Sequence, residues 1–192
     1  MQSSLGEQLK AITNLEDLKQ LCERYLSTDL APGEQLVFGE GPPQAEVMVI
    51  GEAPGFQEAK TGRPFVGNAG RLLNKLLHEI GLRREQVYIC NVLKTHPPGN
   101  RKPTRREIER ELPLLQRQIR LIQPKLLVLL GATALQALID PKGKITLQRG
   151  GWVDVGGIPA FVTYHPAAAL HDETKIAILE QDFAALQERL RS

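Results

Sequence analysis

The chain of 192 residues has only two cysteines, Cys22 and Cys90. They lie far apart and form no Cys-x-x-Cys pair. That excludes a disulfide framework and predicts a cytoplasmic protein. Long hydrophobic runs are missing too: none approaches the roughly 20 apolar residues that a membrane helix needs. The N-terminus has no apolar stretch followed by a small-residue cleavage site, so no secretory signal is read there. Excess charge of one sign is also absent. The net charge is only +2, so no global polycation drives binding. There is no internal repeat and no long low-complexity tract. What is present is 42% hydrophobic and 24% charged, enough for one real core.

The basic residues are unevenly spread. From Lys94 to Arg110 there are six Lys or Arg against two Glu, with Arg101-Lys102 and Arg105-Arg106 among them. Such a patch suits phosphates. Taken alone, it equally suits the solvated face of a helix and its leading loop.

Periodicity places the elements. Leu15, Leu18, Cys22 and Tyr25 recur at helical spacing. Val47–Ile50 is a short apolar strand. Residues 70–80 form a helix stopped by Gly81, and residues 87–92 a second strand. Residues 95–102 are a loop. Thr104 with Glu107 is a capping box for a helix over Ile108, Leu112, Leu115, Ile119 and Ile122, which Pro113 should kink. Leu126–Leu130 is a third strand, followed by a short helix to about Ile139. Residues 142–157 are a loop or a hairpin around Trp152. Ala160–Thr163 is a fourth strand, and a helix closes the chain. Short apolar strands alternating with helices predict a mostly parallel sheet covered on both faces.

The chemically interesting residues follow three of those strands. The loop after the first strand, residues 51–67, carries Glu52, Glu58 and Phe65. Asn91 ends the second strand ahead of the basic loop, and His165 follows the fourth. Parallel strands put these ends on one edge, where open α/β sheets bind ligands. Each residue has a structural alternative: a turn or cap for Asn91 and Glu52, a backbone bond for His165, core packing for Phe65. Together they suit a flat polar heteroaromatic ligand. Phe65 would stack on it, Asn91 would pair with its edge, and His165 would stabilise charge on a carbonyl oxygen. With a basic loop nearby, that describes a nucleobase taken out of a nucleic acid.

At these residues the chain resembles the uracil-DNA glycosylase superfamily, and most closely its family 4. The resemblance rests on Val37-Phe38-Gly39-Glu40-Gly41, the Gly51–Gly67 segment, Tyr88–Lys94, Pro97–Arg101 with Pro103-Thr104, and Tyr164-His165-Pro166. It implies a three-layer α/β/α sandwich around a four-stranded parallel sheet, with residues 36–192 as the glycosylase-like domain and residues 1–35 as a helical extension packed on it. It implies a monofunctional enzyme that hydrolyses the N-glycosidic bond of deoxyuridine in DNA. By this resemblance Glu52 acts on the attacking water and the cationic sugar, and backbone amides near Ala53 meet a uracil carbonyl. Phe65 stacks on the flipped base, Asn91 reads its N3 and O4 edge, and His165 stabilises charge on O2. Glu58 lies near the C5 edge, and Leu170 is the wedge that enters DNA. Lys94, Arg101 and Lys102 are expected at the DNA. Uracil-containing DNA is the expected partner, no membrane is, and a monomer is expected. Two alternatives stay open: a glycosylase for hypoxanthine or xanthine, since Gly55 stands where other uracil glycosylases have a bulky group, and a non-catalytic uracil-DNA binding module.

The chain departs from family 4 at the four cysteines that usually hold a [4Fe–4S] cluster. The corresponding positions read Cys22, Tyr25, Thr95 and Glu111. One thiolate cannot hold a group that needs about four, so neither cluster nor metal is expected. Packing and hydrogen bonds among these four residues are expected in its place. His96 and His171 also stand where Arg is frequent in the family.

Overall fold

The structure is a computed structural model, and it describes residues 4–191. In chain order the elements are α1 (Leu5–Ala11), α2 (Leu15–Tyr25), β1 (Val47–Gly51), α3 (Phe56–Thr61), α4 (Asn68–Glu79), β2 (Tyr88–Asn91) and α5 (Arg105–Ile122). Then come β3 (Leu126–Leu130), α6 (Ala132–Leu138), α7 (Ile145–Gln148), β4 (Gly151–Val155), β5 (Ile158–Thr163), α8 (Pro166–Ala169) and α9 (Thr174–Arg191).

The sheet order is β2-β1-β3-β5-β4. The first four strands in that order are parallel, as expected. The sheet has a fifth strand, however, and is mixed. β4 pairs antiparallel with β5 and forms one edge. It comes from the segment read as a loop or hairpin. Gly156 and Gly157 both take positive φ, 60° and 93°, the signature of a two-residue hairpin turn. Asp154 caps that turn by accepting from the Gly157 amide at 2.9 Å. The strand is short and alternates between half-buried and exposed, as an edge strand does.

β1 and β3 are buried along their whole length, because helices cover both faces. Alternation along the strands divides the core in two. Val47, Val49, Ile89, Val128 and Phe161 face Leu73, Leu76 and Leu77 of α4 and Leu179, Phe183 and Leu186 of α9. Met48, Ile50, Cys90, Leu127, Leu129 and Val162 face Leu115, Ile119 and Ile122 of α5 and Leu135 of α6. This is the three-layer α/β/α sandwich. A third cluster joins Leu9 of α1 and Leu18, Leu21 and Cys22 of α2 to Phe38 and Leu114.

Thr104 and Glu107 form the capping box that starts α5. Pro113 does not end the helix, which runs on to Ile122. The carbonyl that Pro113 leaves without its amide partner belongs to Glu109, on the exposed face, where water can satisfy it.

Between β2 and α5 the buried polar groups are linked. The Glu111 carboxylate accepts from the Lys94 amide and from the Thr95 hydroxyl, both at 2.5 Å. Burial pushes the Glu111 carboxyl up from its ordinary value, against the opposing pull of Thr95 and Lys94. The Lys94 ammonium is fully buried and donates to the Asn91 carbonyl at 2.8 Å. Removing the carboxylate strands two buried donors, a loss of about 2 kcal/mol. Glu111→Ala is therefore expected to lower the unfolding free energy measured by urea titration by about 2 kcal/mol, and Glu111→Gln, which keeps an acceptor oxygen, by clearly less.

Candidate active site

The ends of β1, β2, β3 and β5 open on one cavity of about 630 Å³. Glu52, Ala53, Glu58, Phe65, Asn91 and His165 all line it, so the sheet brings together the residues that sequence placed on one edge. Leu170, Arg101 and Lys102 line it too, and all three are exposed.

Asn91 sits at the last position of β2, in register with Gly51. It is buried, and its Oδ1 has no hydrogen-bond partner. A buried acceptor left open costs free energy, so its natural complement is a donor brought by a ligand. The cradle around it is close. A Cβ on Gly51 would stand 2.5 Å from Asn91 Oδ1 and 2.6 Å from the Phe65 ring. Glycine at the strand end lets amide and ring close over the backbone.

Phe65 is buried, and its ring stacks on His165 with centroids 5.4 Å apart at 24°. The His165 side chain does two things. Its Nδ1 accepts from the Ala167 amide at 3.1 Å and caps the short helix α8. The backbone bond considered from sequence is thus real, and it fixes the tautomer: in the neutral ring the proton sits on Nε2. Burial pushes His165 down to about 4, with Glu58 opposing, so the ring is neutral at pH 7. Gly131 makes room for it at the end of β3, where a Cβ would meet the His165 Cβ at 2.9 Å.

The two carboxylates are held differently. Glu58 Oε1 accepts from the amides of Val66 and Gly67, both at 2.9 Å, and so pins the loop that carries Phe65. Its Oε2 fills the space beside Gly55, where a Cβ would stand 2.8 Å away. Glu52 Oε2 accepts a hydrogen bond from the Thr133 hydroxyl. Sequence reading missed Thr133. The available signal was its place, the third residue after β3, on the same sheet edge as the other three loops.

Lys94 requires correction. It was expected at the DNA, yet it is fully buried and bonded to the Asn91 carbonyl, so it cannot reach a phosphate. The residue sits where the chain turns inward after β2, between the buried Val92-Leu93 pair and Thr95. Arg101 is at the surface but shared with Glu107, with bonds of 2.9 and 2.7 Å. That guanidinium, against the effect of burial, holds the Glu107 carboxyl down to about 2. His96 bridges Glu34 and Asn100 at 2.7 Å each and so ties the basic loop together. Phe56, which sequence reading did not single out, is half exposed at the cavity with the Lys60 ammonium 4.2 Å from its ring centre.

The family model of the uracil DNA glycosylase superfamily matches residues 38–191. The chain belongs to that superfamily. It is 47% identical over 161 residues to the type-4 uracil-DNA glycosylase of Sulfurisphaera tokodaii, covering 79% of this chain and 73% of the relative. It is 48% identical over 141 residues to the type-4 enzyme of Thermotoga maritima, covering 72% and 73%. It is 38% identical over 183 residues to that of Pyrobaculum aerophilum, covering 88% and 92%.

In this uracil DNA glycosylase superfamily member, Cys22 and Cys90 are free and buried. Burial is the main cause that pushes the Cys22 thiol up to about 12. Thr95 and Glu111 are bonded to each other. Among the described residues no group of three or more His, Cys, Asp or Glu is placed to hold a metal ion. One protonated thiol beside a mutually satisfied hydroxyl and carboxylate does not fit a group that needs about four thiolates.

The neutral His165 has a consequence for stability. Its folded pKa of about 4 lies below the ordinary 6.5, so the unfolded chain takes up a proton that the folded chain resists. This contribution is complete above pH 6.5 and is lost as the pH falls toward 4. Urea unfolding across that range is expected to fall more steeply with acidification in the wild type than in His165→Gln.

Proposed function

We infer that the chain is a uracil-DNA glycosylase that excises uracil from DNA by hydrolysis and leaves an abasic site. The observation that carries the reading is the buried, open Oδ1 of Asn91 inside a cavity walled by Phe65 and His165. Uracil N3–H is a donor of the right kind. The Asn91 amide NH2 can donate to O4 in the same plane. The type-4 names of the relatives support the same substrate.

The residues then divide the work. Phe65 stacks on the flipped base. A water held by the Glu52 carboxylate attacks C1′ of the sugar: the new C1′–O bond forms as the C1′–N1 bond breaks. The electron pair stays on uracil, and the proton of the water passes to Glu52. The Thr133 hydroxyl holds that carboxylate in place. His165 donates from Nε2 to O2, where negative charge develops, as a neutral donor rather than a cation. Backbone near Ala53 meets a uracil carbonyl. Glu58 Oε2 fills the space that a 5-methyl group would need, which favours uracil over thymine. Leu170, exposed at the cavity mouth, is the wedge for the vacated stack, and Arg101 and Lys102 meet phosphates. Lys60 stands over Phe56 rather than as a nucleophile, which fits a monofunctional enzyme. The protein works as a monomer in the cytoplasm. Among the described residues no helix is long and apolar enough to cross a membrane.

Excision assays on a uracil-containing single strand and on a U:G duplex test this. Wild type is expected to release uracil from both and to leave thymine and hypoxanthine in place. Asn91→Ala is expected to lose about 10²-fold or more, on the scale of removing one positioned donor or acceptor. Intact binding with no abasic product would leave a uracil-binding module instead.

The same reading includes no iron–sulfur cluster. The Cys22, Tyr25, Thr95 and Glu111 set supports that. Protein purified without oxygen is expected to carry no stoichiometric iron and no ferredoxin-like absorbance. Either signal would overturn this part.

A further inference from the structure

We propose that Arg84, held by Glu40, is a positioning residue for Phe65: it clamps the backbone that aims the stacking ring. The inference rests on the stacking role of Phe65 given above.

Phe65 has φ 51°, the left-handed region that a bulky side chain avoids. Such a conformation persists only when the surroundings over-determine it. Here they do. Arg84 Nη1 donates to the Phe65 carbonyl at 2.9 Å, and Nη2 donates to the Pro64 carbonyl. One planar guanidinium therefore grips both carbonyls that flank the strained φ. Its other edge, Nε and Nη2, is held by Glu40 Oε1 at 3.0 and 2.7 Å. Glu40 is itself fastened to the sheet: its amide and carbonyl exchange hydrogen bonds with Ile89 of β2, at 2.9 and 2.8 Å. Burial alone would push the Glu40 carboxyl up, but the Arg63 and Arg84 guanidiniums outweigh it and hold it below its ordinary value.

The opposite side of the loop is closed as well. Glu58 takes the next two amides, and a Cβ on Gly70 would stand 1.9 Å from the Phe65 carbonyl oxygen. The Phe65 carbonyl thus points into a slot between Gly70 and Arg84. The ring is left against Gly51 and His165. Without Arg84 the two carbonyls lose their shared donor, the φ relaxes, and the ring leaves the face that a flipped base must meet. Lysine cannot replace it, since one ammonium lacks the planar fork that spans two carbonyls and a carboxylate.

Single-turnover excision of uracil by wild type, Arg84→Met, Phe65→Ala and the double variant tests the clamp. Arg84→Met is expected to slow excision about 10- to 100-fold, the cost of misplacing a group by about 1 Å. Its affinity for an undamaged duplex of the same sequence should be unchanged. In the Phe65→Ala background the same substitution is expected to change the rate less than about twofold, because the ring it positions is gone. An equal loss in both backgrounds would mean a merely structural role and overturn the proposal. So would a loss with Phe65→Ala but none with Arg84→Met. Wild-type excision by Phe65→Ala alone would remove the stacking reading itself, and the clamp with it. If Arg84→Met does not fold, Arg84→Lys and Glu40→Gln carry the same comparison in the same two backgrounds, with the same deciding outcomes.

Discussion

The register of parallel β1 against β2 is the constraint from which the site is built. Gly51 stands opposite Asn91, and side chains alternate between the two faces of the sheet. Cys90 belongs to the core under α5, so Asn91, one residue on, belongs to the face that carries Ile89, α4 and Phe65. A slip of one residue would turn the Asn91 amide to the wrong face and put a side chain where only glycine fits. The buried hydrophobic pattern of both strands forbids that slip. The specificity of the cavity is thus secured by the same packing that stabilises the sheet.

Around that register, nearly every charged group near the cavity is committed to holding something else. Glu58 holds the loop of Phe65 through two backbone amides, Glu40 holds Arg84, and Lys94 holds the Asn91 carbonyl. His165 uses Nδ1 to cap α8. Among the described residues, Asn91 Oδ1 is the buried exception at the cavity. A site that leaves one acceptor open while satisfying its neighbours is preorganised for a single donor, and that economy is what a neutral, planar base requires.

The region below the basic loop is held by packing and by hydrogen bonds between segments distant in the chain. Here Leu18, Leu21 and Cys22 pack on Phe38 and Leu114. Glu111 collects the Lys94 amide and the Thr95 hydroxyl. The Arg110 guanidinium reaches Asp29 at 2.7 Å and the Tyr25 carbonyl at 3.2 Å. Each link is individually modest, and together they join α2, the loop after β2 and α5.

Sequence by itself determined a mostly parallel sheet covered on both faces, the capping box at Thr104 and the residues of the sheet edge. These follow from local periodicity and from the rule that parallel strands end together. It misplaced Lys94, because a lysine in a basic run reads as solvated until the burial around it is known. It left β4 undecided, because an edge strand with half its residues exposed has only a weak pattern. The bonding partners of Thr133 and Arg84 could not be read for a different reason. Thr133 acts 81 residues from Glu52, and Arg84 acts 19 and 20 residues from the carbonyls it grips. The positive φ of Phe65 persists because distant segments converge on it. Long-range hydrogen bonds carry no periodicity in the chain, so only the tertiary structure decided them.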